Sequence, residues 1–257
     1  MKRLIRDARY FQIVFLSIFL CIGVFFLRFQ ITAMQCILCL VSVIASQYFF
    51  FRYFHVEQRS YQSALITGLS LCLLLRTNTI WVHPLAGVLA LSSKFLIRYQ
   101  QKHFFNPANF GIILSITLLP AWVSQGQWGH STLLVFLSCM LGFVVTYRAR
   151  VGWVSVQFLL LFFLLIGARN AWLGFEHKMT LHSMLNGSLL IFAFFMISDP
   201  KTNPQASKAR WLHLFWVILC FAFLQFQFYF ENALFWSLFI SAPLIPHWDR
   251  CFEKLEN

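Results

Sequence analysis

What most constrains this chain is a near-continuous succession of apolar stretches, parted only by short polar connections. A soluble domain carries roughly 25% charged residues. Here 11% of the 257 residues are charged and 60% are hydrophobic, more apolar surface than a soluble interior can hide. The stretches run Tyr10 to Leu27, Ile31 to Phe51, Gln62 to Leu75, Ile80 to Ile97, Asn106 to Pro120, Ser131 to Tyr147, Trp153 to Ala168, Leu181 to Ser198, Leu212 to Phe230 and Asn232 to Ile245. An apolar helix needs about 20 residues to cross a bilayer. The pattern therefore predicts an all-α polytopic membrane protein with ten transmembrane segments. Several stretches are shorter than a full crossing, which predicts short or broken helices, above all in the third and eighth.

The net charge of +12 raises the question of nucleic acid, but its distribution answers for topology. Lys and Arg gather in alternate connections, as the positive-inside rule demands of a membrane protein with cytoplasmic N- and C-termini. The opposite side receives only Arg28, Arg76, Arg169 and Lys178. The expected location is a bacterial-type inner membrane with the lipid bilayer as the main partner and no nucleic acid. The first stretch is longer than a signal-peptide core and lacks a small-residue cleavage site, so it reads as a retained span. Spans and connections consume nearly every residue, leaving no room for a soluble nucleotide-binding domain.

A weak internal echo accompanies the segment count. Ser63-Ala-Leu-Ile-Thr-Gly68 resembles Ser183-Met-Leu-Asn-Gly187, and Asn109-Phe-Gly-Ile-Ile-Leu loosely resembles Asn232-Ala-Leu-Phe-Trp-Ser. A five-segment spacing predicts two inverted repeats, about 10–120 and 131–245, within one integral membrane domain. Broken helices of such repeats meet to form binding sites.

Three motifs stand out because polar groups beside hydrocarbon are costly without partners. Asn106-Pro107-Ala108-Asn109 opens the fifth stretch. A helix cap accounts for Asn106 and Pro107. Asn109, one turn inside an apolar helix, offers a donor and an acceptor that suit a flavin pyrimidine edge or a quinone carbonyl, or else glue two helices. Asp199, in Ser198-Asp-Pro-Lys-Thr202, is a candidate cation ligand or proton relay at a span end, against the plainer reading of an Asp-Pro turn. Lys94 can snorkel to the cytoplasmic face or hold a phosphate. Ser63, Thr67 and Gly68 read as packing residues or as ligand contacts. Cys36 and Cys39 share one helical face and supply half a metal site, for which a partner chain would have to complete the set; otherwise they are buried free thiols. No His-Cys-carboxylate cluster, Ser-His-Asp arrangement, P-loop or GxGxxG fingerprint is present in the sequence.

Phe104-Phe-Asn-Pro-Ala-Asn-Phe-Gly111, Ser63-Ala-Leu-Ile-Thr-Gly-Leu69 and Phe194-Phe-Met-Ile-Ser-Asp-Pro-Lys-Thr202 together resemble three ordered motifs of the NqrB/RnfD family. These are the membrane subunits B of sodium-pumping NADH:quinone reductase and D of the Rnf electron-transport complex. The resemblance implies a ten-span inverted-repeat fold carrying flavin within an electron path. It places Asn106, Pro107 and Asn109 at a flavin site, with Ser63, Thr67, Gly68 and Lys94 beside it, and assigns Asp199 and Thr202 to ion or quinone coupling. Family members with covalent FMN use a threonine in a Ser-x-Ala-Thr motif between the fifth and sixth spans. That connection here is Ala121-Trp-Val-Ser-Gln-Gly-Gln-Trp-Gly-His130, without the motif, so a non-covalent flavin (riboflavin or FMN) is expected.

Two classes of function remain open at this point. One is a membrane electron-transport component, a non-autonomous oxidoreductase subunit working with redox partner proteins and possible quinone. The other is a channel or carrier for a small polar solute on the same scaffold, or a membrane component of an enediyne-type biosynthetic cluster. A purely structural subunit is a third reading.

Overall fold

The computed structural model describes residues 8–56, 60–124, 142, 147 and 152–256. The chain divides into two compact units, Met1–Trp128 and Gly129–Asn257.

The first unit begins with α1 (Ala8–Phe25) and α2 (Ala33–Tyr53). Between them the backbone turns at Arg28 (φ 51°), and Phe29 folds back so closely on Gly23 that a Cβ there would strike its ring. A reciprocal capping box starts α2. Thr32 Oγ1 accepts from Gln35 N, and Gln35 Oε1 accepts from Thr32 N. Next come α3 (Gln62–Leu74), the short strand β1 (Leu75–Arg76) and α4 (Val82–Leu96). A hairpin of β2 (Arg98–Tyr99) and β3 (Lys102–His103) then leads into α5 (Pro107–Leu118) and β4 (Trp122–Val123). Its two loop residues, Gln100 (φ 46°) and Gln101 (φ 65°), are both left-handed, the geometry of a two-residue type I′ turn.

Small residues let these helices approach. A Cβ on Gly68 would lie 2.9 Å from Val43 of α2, and one on Gly111 would lie 2.9 Å from Ala86 O and 2.8 Å from Ala90 Cβ of α4. Such close approach is how apolar helices pack in a bilayer, where hydrophobicity alone does not hold them together.

The end of α3 is built with unusual care. β1 pairs antiparallel with β4, Leu75 opposite Val123 and Arg76 opposite Trp122, and Ser124 N donates to Leu74 O at 2.8 Å. Arg76 is fully buried and donates to the carbonyls of Cys72 (2.8 Å), Leu75 (2.6 Å) and Leu73 (2.9 Å). It thereby satisfies carbonyls that a helix end leaves open, at the end whose dipole favours a cation. Its guanidinium also lies 5.0 Å from the Phe29 ring centroid. Gln35 Nε2 secures the following loop by donating to Thr77 O and Thr79 O.

The second unit contains α6 (Gly152–Trp172), α7 (His177–Met184), α8 (Gly187–Ile191), α9 (Ser207–Gln227), α10 (Ala233–Ser241) and α11 (Ile245–Glu256). α8 continues as a π-helical turn, Phe192–Met196, and Ser155 Oγ of α6 donates to Ala193 O within it at 2.8 Å. α7 and the α8 segment meet at 55°. Asn186 makes this restart possible, its side chain capping Ser188 N at 2.9 Å. The interior is aromatic: Phe158 against Phe192, Phe162 against Phe221 and Phe192 against Phe235.

The expected ten transmembrane segments are not found. Among the described residues three helices, α2, α6 and α9, are long and apolar enough to cross a membrane, or four segments if bent α7 and α8 count as one. The stretch Ser131 to Tyr147 lies outside the described residues, apart from Gly142 and Tyr147. The shortfall has a physical cause. Apolar composition continues through β1 and the start of β4, but α3 stops where Arg76 takes its last carbonyls. α5, with 12 residues, is about 18 Å long at 1.5 Å per residue, against roughly 30 Å of hydrocarbon. α3 and α4, with 13 and 15 residues, fall short as well.

Candidate functional site

In the first unit the polar residues converge on Lys94. It belongs to the last turn of α4 and is 8% exposed, so the long stem stays inside rather than carrying the ammonium out to water. Nζ donates to Gln47 Oε1 of α2 at 3.1 Å and to Ser63 Oγ of α3 at 3.2 Å. Gln47 is fully buried, and its Nε2 reaches Ser60 O at 3.4 Å. Ser60 Oγ in turn accepts from Arg9 Nη1 at 3.4 Å and donates to Gln62 Oε1. Four helices, α1 to α4, thus contribute to one polar network.

An aromatic wall flanks the network. Phe95 stacks on Phe50 (4.9 Å between centroids) and Phe54 (6.1 Å) and meets Phe51 edge-on (5.9 Å). Two cations lie over the same ring, Lys94 Nζ at 5.4 Å and Arg98 at 4.9 Å, while Arg98 Nε donates to Lys94 O at 2.7 Å. Cations, amides, hydroxyls and ring faces are the groups that recognise an anionic, partly aromatic ligand.

The β2–β3 hairpin brings the chain from the end of α4 to the start of α5, where the Asn-Pro motif sits. Asn106 is the cap of α5, its side chain accepting from Asn109 N at 3.1 Å, and Pro107 occupies the first turn. Asn109 is 2% exposed. Thr67 Oγ1 donates within its own helix to Ser63 O, and Gly68 packs on α2 while its carbonyl accepts from Cys39 Sγ at 3.8 Å. The structure therefore joins Ser63 directly to Lys94, gives Asn106 and Pro107 a capping role, turns the Thr67 hydroxyl back on its own helix, and uses Gly68 for helix contact.

Asp199 and Thr202 lie in the second unit, in a loop that bonds to itself. Asp199 Oδ1 accepts from Lys201 N at 3.0 Å, and its carbonyl accepts from Thr202 N at 3.1 Å and Asn203 Nδ2 at 3.0 Å. Thr202 and Asn203 are buried, and Asn203 Nδ2 also donates to Ile197 O. This is the geometry of an Asx turn.

Among the described residues no group of three or more His, Cys, Asp or Glu is arranged to hold a metal ion. No family model and no curated protein sequence matches the chain.

Sequence reasoning missed Gln47 and the burial of Arg76. A carboxamide four residues before the end of an apolar run, Gln47-Tyr-Phe-Phe-Phe51, is the same signal that singled out Asn109, and it could have flagged Gln47. Arg76 lies in the connection between α3 and α4, and there it is fully buried. Burial lowers its pKa to about 10, against opposing pulls from Cys72 and Cys36, which leaves it a cation at neutral pH.

Proposed function

We propose that the protein is a cytoplasmic-membrane electron-transport component that holds a flavin non-covalently at the Lys94 network, with both termini in the cytoplasm. The observation that carries this reading is the buried Lys94 ammonium, bonded to Gln47 and Ser63 and set against an aromatic wall. An ionised side chain inside an apolar unit is expensive and marks a working site more often than a structural one. The donor set fits the group. Lys94 suits a flavin phosphate, Gln47 and Ser63 suit the mixed edge of its pyrimidine ring, and the N-terminus of α5 beyond the hairpin favours an anion.

Bound there, a flavin supplies transfer of one or two electrons at a time. The residues set the conditions: Phe50, Phe51, Phe54 and Phe95 exclude water, and Lys94 stabilises negative charge on whatever it faces. The motif resemblance to the NqrB/RnfD family supports the same reading. Redox partner proteins and a quinone are then the expected donor and acceptor, with Asp199 and Thr202 proposed for coupling to an ion or quinone.

The direct experiment is the visible spectrum of the detergent-purified chain before and after acid denaturation. A flavin spectrum released by acid is the expected result; a protein that stays colourless after incubation with FMN and with riboflavin overturns it.

A second reading, a carrier for a small polar solute, draws on the 55° break between α7 and α8, since interrupted helices form the binding sites of many transporters. Solute flux into proteoliposomes without an electron donor would favour it.

A further inference from the structure

The last helix, α11, is held by one face. Ile245 and Trp248 are buried, the Trp248 ring meets the His213 ring of α9 edge-on at 5.2 Å between centroids, and Asp249 Oδ1 accepts from Gln205 N at 2.8 Å. His247 and Cys251 are both exposed. They are four residues apart and so share one side of the helix, the spacing that lets two side chains grip one metal ion. Their Nε2 and Sγ atoms stand 3.6 Å apart. With Zn–N of about 2.0–2.1 Å and Zn–S of about 2.3 Å at the tetrahedral angle, two ligands of one zinc ion are separated by about 3.5–3.6 Å. The helix therefore holds both atoms where a zinc ion would take them, with little movement of either side chain.

We propose that His247 Nε2 and Cys251 Sγ bind Zn²⁺, and that the same pair of a second copy of this chain completes the site. Structural zinc takes four protein ligands, drawn from nitrogen and sulfur donors. One copy supplies two, since among the described residues no third His, Cys, Asp or Glu joins them. Symmetry selects the source of the other two. Copies in one bilayer share orientation and depth, so a twofold axis along the membrane normal brings like residues together. α9, against which α11 packs, is among the helices long and apolar enough to cross. This step rests on the membrane location proposed above, and the flavin reading plays no part in it. The charges balance: each copy's thiol gives one proton to the medium, and two thiolates with two neutral imidazoles leave a Zn²⁺ centre without net charge.

The test is zinc uptake by the full-length chain, purified in detergent under reducing, metal-free conditions and titrated with Zn²⁺ against a chromogenic chelator, with oligomeric state followed by light scattering. One Zn²⁺ per two chains, one proton released per chain, and a zinc-dependent dimer that EDTA dissolves are expected. Cys251→Ser and His247→Ala should each abolish both uptake and dimer; both positions are exposed, so neither substitution disturbs the interior. Co²⁺ in place of zinc reports the ligands. A sulfur-to-cobalt charge-transfer band supports the site, and it should vanish in Cys251→His while metal uptake is kept. No uptake, one Zn²⁺ held by each monomer, or uptake that Cys251→Ser leaves unchanged overturns the proposal.

Discussion

Lys94 and Asp199 are both charged residues near helix ends, yet the structure treats them in opposite ways. Lys94 bonds to residues 47 and 31 positions away, drawing α2, α3 and α4 together. The bonds that define the Asp199 turn reach Lys201, Thr202 and Asn203, within four residues. A charge that gathers distant elements is costly to place and specific in what it can meet. Asp199 accepts from the backbone two residues on and so shapes a turn. The two charges look alike in sequence, yet one joins distant helices and the other shapes a local turn.

The largest effect expected in the first unit comes from removing its other buried cation. Arg76→Met strips donors from three carbonyls at the end of α3, and buried acceptors left unmet cost about 1–3 kcal/mol each. Thermal unfolding in detergent should show the greatest loss of stability for this variant; a wild-type midpoint would mean that Arg76 does not hold the α3 end. Next comes Gly111→Ala, where the new methyl meets the backbone of α4 at Ala86 O. Overpacking of this kind costs about 1–3 kcal/mol, and the same unfolding assay checks it.

Lys94→Met keeps the stem and removes the charge. It is expected to fold with a loss of about 1–3 kcal/mol, since the buried Gln47 Oε1 loses this donor, and to lose flavin affinity. Asp199→Asn sits at the small end. Asn makes the same turn, so a stability change below about 0.5 kcal/mol is expected, as for surface substitutions away from special features. If Asp199→Asn stops electron transfer in a reconstituted system while flavin binding is intact, Asp199 serves coupling as well as shaping its turn.

The same contrast explains what was legible in the sequence. The Asn106 cap could be read because capping is local: a short polar side chain followed by proline at the first turn admits few other conformations. The Asp199 turn was readable for the same reason. The partnership of Lys94 with Gln47 was not, because it depends on how α2 and α4 pack, which no local pattern encodes. The number of membrane crossings failed on a related point. Composition marks where a chain is apolar, but α3 ends where its last carbonyls accept from a side chain instead of the next turn. Arg76 supplies those donors at α3, and the β1–β4 pair takes over the backbone from there.

The most direct test of the central claim is an FMN titration followed by fluorescence quenching, run on the purified wild-type chain, Lys94→Met and Asp199→Asn in parallel. A charge-assisted hydrogen bond contributes about 1.5–3 kcal/mol, roughly ten- to a hundredfold in affinity. The account predicts saturable binding by the wild type and by Asp199→Asn, with Lys94→Met weakened by that factor. Equal binding by Lys94→Met and the wild type would contradict it, and the flavin would have to be sought elsewhere in the chain.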